Sequence, residues 1–131
     1  MQHQLLNYCS GKSIYDKSPL PTDLDIEINI KKLYVPCTSR GEEYRVISFD
    51  KPVKCSEVFQ AILDFYNQEL SKETIIELYE KYPKNAAIVG TWVLNDSEIK
   101  SKWKHIMGSL DVISDFKEVD DGYKLVLENL Y

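Results

Sequence analysis

The chain has 131 residues, 44% hydrophobic and 28% charged, with only 5 Gly and 5 Pro, a composition that supports one packed core and excludes disordered and low-complexity classes. Its formal charge of -5, from 16 basic and 21 acidic residues, disfavours a polyanion as partner unless the lysines gather on one face. No run approaches the roughly 18 consecutive apolar residues of a membrane span, and the opening MQHQLLNYCSGKS lacks a basic, apolar leader pattern, so an intracellular, cytoplasmic protein with no membrane partner is expected.

Residues 1–22 are mixed in pattern and close on Ser18-Pro19-Leu20-Pro21-Thr22, so they read as an arm or linker ahead of a single α+β domain over residues 23–131. Leu24, Ile26, Ile28 and Ile30 alternate with Asp25, Glu27, Asn29 and Lys31, which predicts a half-buried strand that Pro36 ends or distorts. The small polar stretch from Cys37 to Glu42 predicts a turn into a second strand over Tyr44 to Phe49, and the two strands are expected to pair antiparallel. Beyond Pro52, Ser56 is placed to cap a helix whose Val58, Phe59, Ile62, Leu63, Phe65 and Tyr66 recur at helical spacing.

Ser71 offers its hydroxyl to a second helix with Glu73 in its first turn, an apolar set of Ile75, Ile76, Leu78, Tyr79 and Tyr82, and Pro83 at its end. Ala86 to Leu94 reads as a short strand interrupted by Gly90, with helix as the alternative at its start. Asn95 with Glu98 three residues on reads as a capping-box-like entry to a third helix lined by Ile99, Trp103, Ile106 and Met107 and stopped at Gly108. Val112 to Val119, an Asp121-Gly122 turn and Tyr123 to Leu130 complete a terminal hairpin. The order predicts an α+β fold in which an antiparallel sheet is covered by about three helices and ends in a C-terminal β-hairpin.

Catalytic chemistry finds little material. The cysteines Cys9, Cys37 and Cys55 are odd in number and widely spaced, neither a disulfide framework nor a C-x-x-C zinc knuckle, which suits a reducing compartment. Cys37 lies near Arg40, but a phosphatase loop would place arginine six positions after the cysteine, where this chain has Glu43; Cys55 at a helix start reads as an apolar filler. His105 has Ser101 and Ser109 four residues away on either side, so it has no metal-ligating helical neighbour, and with no phosphate-binding glycine loop the expectation is no enzyme, no cofactor and no metal.

Binding is the remaining class. Nine tyrosines and two tryptophans supply interface-type side chains; Tyr34, Tyr44, Tyr66 and Tyr79 fall on or near apolar faces and are expected mostly in the core, whereas Tyr8, Tyr15 and Tyr131 lie in terminal segments. Leu5, Leu6, Tyr8 and Tyr15 are therefore the candidate contact residues for a protein partner or self-association, with an exposed sheet edge as the other candidate surface. A nucleic-acid reading rests on Lys100, Lys104 and His105 of the third helix, followed by a hairpin in the order of a winged-helix domain. The net charge, a total of two arginines and the acidic Asp120-Asp121 at the hairpin tip weigh against it.

The stretch FDKPVKCSEVFQAILDFYNQELSKETI, residues 49–75, in which a strand leads to a helix ending in Phe65-Tyr66-Asn67, resembles short uncharacterised proteins encoded by large DNA viruses. The resemblance implies a virion or host-directed binding protein and carries no functional residues with it.

Overall fold

A computed structural model of the chain describes residues 2–16, 25–38, 43–82, 102–107 and 110–129. The N-terminal residues are not an arm held off the domain. They form helix α1 (Gln2–Cys9), whose Leu5, Tyr8 and Cys9 share one face and are buried in the core with Ile14 just beyond. The spacing of three and four residues is what brings these side chains onto a single stripe, and that stripe packs against α2 and β5. Gly11, at φ 81°, takes the left-handed conformation that ends α1, and the Lys12 ammonium sits 3.9 Å from the centre of the Tyr8 ring while donating to the Tyr8 carbonyl.

The alternating segment predicted as one strand is divided between two sheets. Strand β1 (Glu27–Ile28) pairs antiparallel with β4 (Val53–Lys54), and β2 (Lys32–Pro36) enters the main sheet. Ile28 and Ile30 are buried, whereas Ile26 is 43% exposed, and Leu24 lies outside the described residues. Alternation tells which face a residue takes but not which neighbour the backbone finds.

The main sheet runs β3-β2-β6-β5, with β3 (Tyr44–Ser48), β5 (Val112–Val119) and β6 (Gly122–Glu128). The β2/β3 and β5/β6 pairs are antiparallel, and the C-terminal hairpin is formed as expected. The centre of the sheet differs: β2 and β6 run parallel, with Leu33 opposite Tyr123 and Tyr34 opposite Lys124. Gly122 makes this junction possible, because a Cβ there would lie 2.0 Å from the Lys32 carbonyl oxygen. Leu33, Val35, Phe116, Leu125 and Leu127 face the helices, and Pro36 closes β2 with its carbonyl accepting the buried Tyr66 hydroxyl at 2.6 Å.

Helix α2 (Cys55–Tyr66) buries Val58, Phe59, Ile62, Leu63, Phe65 and Tyr66 as predicted. Its N-terminus is capped differently: Lys54 occupies the cap position, its N–H donates to the Glu57 carboxylate at 3.0 Å, and Ser56 lies inside the helix. The Ser56 N–H and hydroxyl both donate to Asp25, at 2.9 and 2.7 Å, so the cap comes from a carboxylate 31 residues earlier. Burial disfavours the Asp25 charge, but the two Ser56 hydrogen bonds and the Lys54 charge outweigh it and hold the carboxyl below its ordinary pKa.

Helix α3 (Lys72–Lys81) starts as expected, with Ser71 Oγ accepting the Thr74 N–H at 3.2 Å. It buries only Ile75 and Leu78, leaving Tyr79 40% exposed. The described part of the third predicted helix is α4 (Trp103–Met107), which buries Trp103, Ile106 and Met107; the Ala86–Leu94 strand and the Asn95–Glu98 cap lie outside the described residues. No helix among the described residues is long and apolar enough to cross a membrane.

Candidate functional site

Among the described residues, the two edges of the main sheet differ in protection. At β5, residues 11–14 run alongside: Gly11 N–H donates to the Ile113 carbonyl at 3.0 Å, Ile113 N–H to Lys12 at 2.9 Å, and Ile14 N–H to Asp111 at 2.9 Å. A register shift between Ile113 and Asp115 bends the same strand, and Lys117 and Glu118 charge it.

At β3, among the described residues, no segment runs alongside and no register shift bends the strand. The strand pairs with β2 in unbroken register over Tyr44–Ser48 and contains no proline, glycine or lysine. Cys37 N–H donates to the Glu43 carbonyl and Phe49 N–H to the Lys31 carbonyl, so residues 43, 45, 47 and 49 turn their peptide groups toward β2. The peptide groups of Tyr44, Val46 and Ser48 therefore point outward, and among the described residues no strand pairs with them. Val46 is 48% exposed, the most exposed of the large hydrophobic side chains described. Arg45 carries the strand's single charge and forms an ion pair at 3.5 Å with Glu43, which also meets Lys81 at 3.2 Å.

Alongside this edge runs a groove of about 370 Å³ between β3 and α2. Val46, Ile47, Ala61, Phe65 and Trp103 give it an apolar lining, the Phe65 and Trp103 ring centroids 5.4 Å apart. The Arg45 guanidinium lies 5.3 Å from the Trp103 ring centre, and Asp64 and Gln68 make the polar rim. Outward-turned backbone donors and acceptors on which no described strand pairs, beside an apolar slot, form a geometry suited to an extended chain, which would satisfy its own peptide groups on the edge and bury alternate side chains in the slot.

The residues singled out from sequence land elsewhere. Leu5 and Tyr8 are core residues and Leu6 is partly buried against the core, so these three are not a free contact surface; the helical stripe that brings them together is what buries them. Tyr15 is 41% exposed, but its hydroxyl donates to the Lys104 carbonyl at 2.9 Å and the Lys104 ammonium lies 5.3 Å from its ring centre. His105 Nδ1 accepts the Lys102 N–H at 2.9 Å, and partial burial with the Lys104 and Lys102 charges lowers its pKa, so it adds no positive charge for phosphate at neutral pH. Lys100 lies outside the described residues. Lys104 and His105 are thus brought against Tyr15 and Lys102 rather than into an open basic face.

Of the tyrosines expected mostly in the core, Tyr66 is buried, whereas Tyr34 and Tyr44 are half-buried on the outer face of the sheet. There the Tyr34 hydroxyl is 2.9 Å from Asp121, which also pairs with Lys32 at 3.2 Å, and the Lys124 ammonium lies 4.3 Å from the Tyr44 ring centre. The cysteines are all buried. Burial pushes the Cys9 and Cys37 thiols up to about 12, for Cys37 against the opposing Arg45 charge, so both are protonated and weak nucleophiles at neutral pH. Among the described residues no three His, Cys, Asp or Glu side chains converge to hold a metal ion.

The sequence pointed to a sheet edge without saying which one. Arg45, Val46, Asp64 and Trp103 were legible as strand and helix residues, and the absence of lysine and proline between Tyr44 and Ser48 is the signal that finds them once the strand order is known. No protein-family model matches the chain, and no curated protein and no solved structure matches it.

Proposed function

We propose that the protein is a non-enzymatic interaction or assembly module that binds an extended protein segment by strand addition to β3. The observation that carries this reading is the outward-facing backbone of Tyr44, Val46 and Ser48 beside the Phe65/Trp103 groove. Main-chain hydrogen bonds would supply affinity without regard to sequence, and the groove would select an apolar side chain at alternate positions of the incoming segment. The burial of the thiols, which raises their pKa values, favours binding over nucleophilic chemistry.

Selection from a library of displayed extended peptides tests it. Enriched peptides should shift the backbone amide resonances of Tyr44, Val46 and Ser48, should carry an apolar residue at alternate positions, and should lose binding to Val46→Pro, which removes one outward donor. Peptides that bind elsewhere, or bind Val46→Pro equally well, would refute the reading.

A further inference from the structure

The edge of β3 is complementary to itself. Residues 44, 46 and 48 face outward, so an antiparallel copy of the strand centred on Val46 places every outward peptide group opposite another: Val46 faces Val46 of the second copy, and Tyr44 faces Ser48 in both directions. Each of these is a pair that exchanges two hydrogen bonds, and a two-fold axis through the central pair makes the contact closed and isologous. A lysine or an uncompensated charge would oppose such pairing, but the strand's one charge, Arg45, has Glu43 at 3.5 Å, a carboxylate it shares with Lys81, so its guanidinium keeps donors for a second carboxylate.

The side chains fit the same register. Arg45 of the second copy falls opposite Ile47, on the face where the groove opens, and the groove's rim carries the exposed carboxylate of Asp64. Among the described residues Asp64 accepts from the Gln60 amide, at 2.7 Å on one carboxylate oxygen, which leaves acceptor capacity for a guanidinium. By symmetry the contact forms twice. On the outer face Val46 meets Val46, removing from water the most exposed of the large hydrophobic side chains described.

We infer that the segment received by β3 is β3 of a second copy of this chain, giving a two-fold dimer with a continuous sheet across the interface and an Arg45 to Asp64 pair between chains at each end. This rests on the strand-addition reading above and names its occupant.

Sedimentation equilibrium of the full chain is the test, with far-UV circular dichroism and thermal midpoint as the check on folding. The wild type should be dimeric at tens of micromolar. Val46→Pro should be monomeric with an unchanged fold, because proline is tolerated where an edge N–H faces solvent. Arg45→Glu and Asp64→Lys should each weaken the dimer roughly tenfold and the double variant should recover to within about twofold of the wild type, and because both residues also line one groove of a single chain, the thermal midpoint at a concentration where all are monomeric should stay the same in all four proteins.

A dimer that survives Val46→Pro, or a double variant no tighter than the single ones, overturns the inference. A wild type that is monomeric up to roughly 0.1 mM also overturns it. In that case amide exchange separates the two readings. Fast exchange at Tyr44, Val46 and Ser48, with selected peptides still binding there, removes the second copy and leaves strand addition standing. Slow exchange at these amides in the monomer places a strand of the same chain on the edge, and both readings fall.

Discussion

Removing residues 1–16 should unfold the protein, and this distinguishes a docked helix from a dispensable arm. Leu5, Tyr8 and Ile14 are each at most 2% exposed, and burying a side chain of this size is worth about 1.5–3 kcal/mol, so the three together contribute about 5–9 kcal/mol. That equals a large part of the roughly 5–15 kcal/mol by which small domains are stable. The segment also satisfies the β5 edge through Gly11, Lys12 and Ile14, whose loss would expose paired backbone groups. The milder perturbation is Leu5→Ala, expected to cost about 2–5 kcal/mol, because α2 and β5 fix the walls of the cavity it leaves. In urea denaturation followed by circular dichroism, with a slope of about 1–3 kcal/mol per molar, the midpoint should fall by about 1–2 M or more. Asn7→Ala, on the exposed side of the same helix, should stay within about 0.5 kcal/mol of the wild type. A Leu5→Ala midpoint matching that of Asn7→Ala, or a deletion variant that unfolds cooperatively with a native spectrum, would show that the helix does not belong to the core.

The Asp25 cap predicts a pH dependence. Because the folded-state pKa is depressed, the carboxylate's contribution is present above the unfolded value of about 4 and is lost as pH falls through the folded one. Asp25→Ala should therefore cost about 1 kcal/mol at neutral pH, and its urea midpoint should drop less than the wild type's on acidification to below pH 3; parallel pH profiles would remove the cap from the account. Gly122→Ala should destabilise by about 1–3 kcal/mol or more, since the new methyl meets the Lys32 carbonyl at 2.0 Å and either β2 or β6 must move. A neutral effect in thermal denaturation would contradict the parallel junction. Native protein at neutral pH should leave Cys9, Cys37 and Cys55 unmodified by a thiol reagent until denaturant is added, and labelling of any one in the folded state would show an opening that the buried thiols do not have.

Local chemistry was enough to define several elements. The helical spacing of Val58 to Tyr66, the Ser71 cap and the alternation on either side of Asp121-Gly122 are short-range patterns, and the structure contains α2, the α3 cap and the hairpin where those patterns lie. The α+β class follows from the same signals. Tertiary structure decided whatever depended on a distant partner. Leu5, Tyr8 and Ile14 form a core stripe only because α2 and β5 are there to cover it, and Ser56 is displaced from the cap because Asp25 reaches it from 31 residues away. The parallel pairing of β2 with β6 joins segments some 90 residues apart, and it leaves β3 as the outermost strand of the main sheet. A strand's own residues set its face, but its place in the sheet is set by loop closure and by competition among all strands, so the outermost place of β3 among the described strands is a property of the assembled fold.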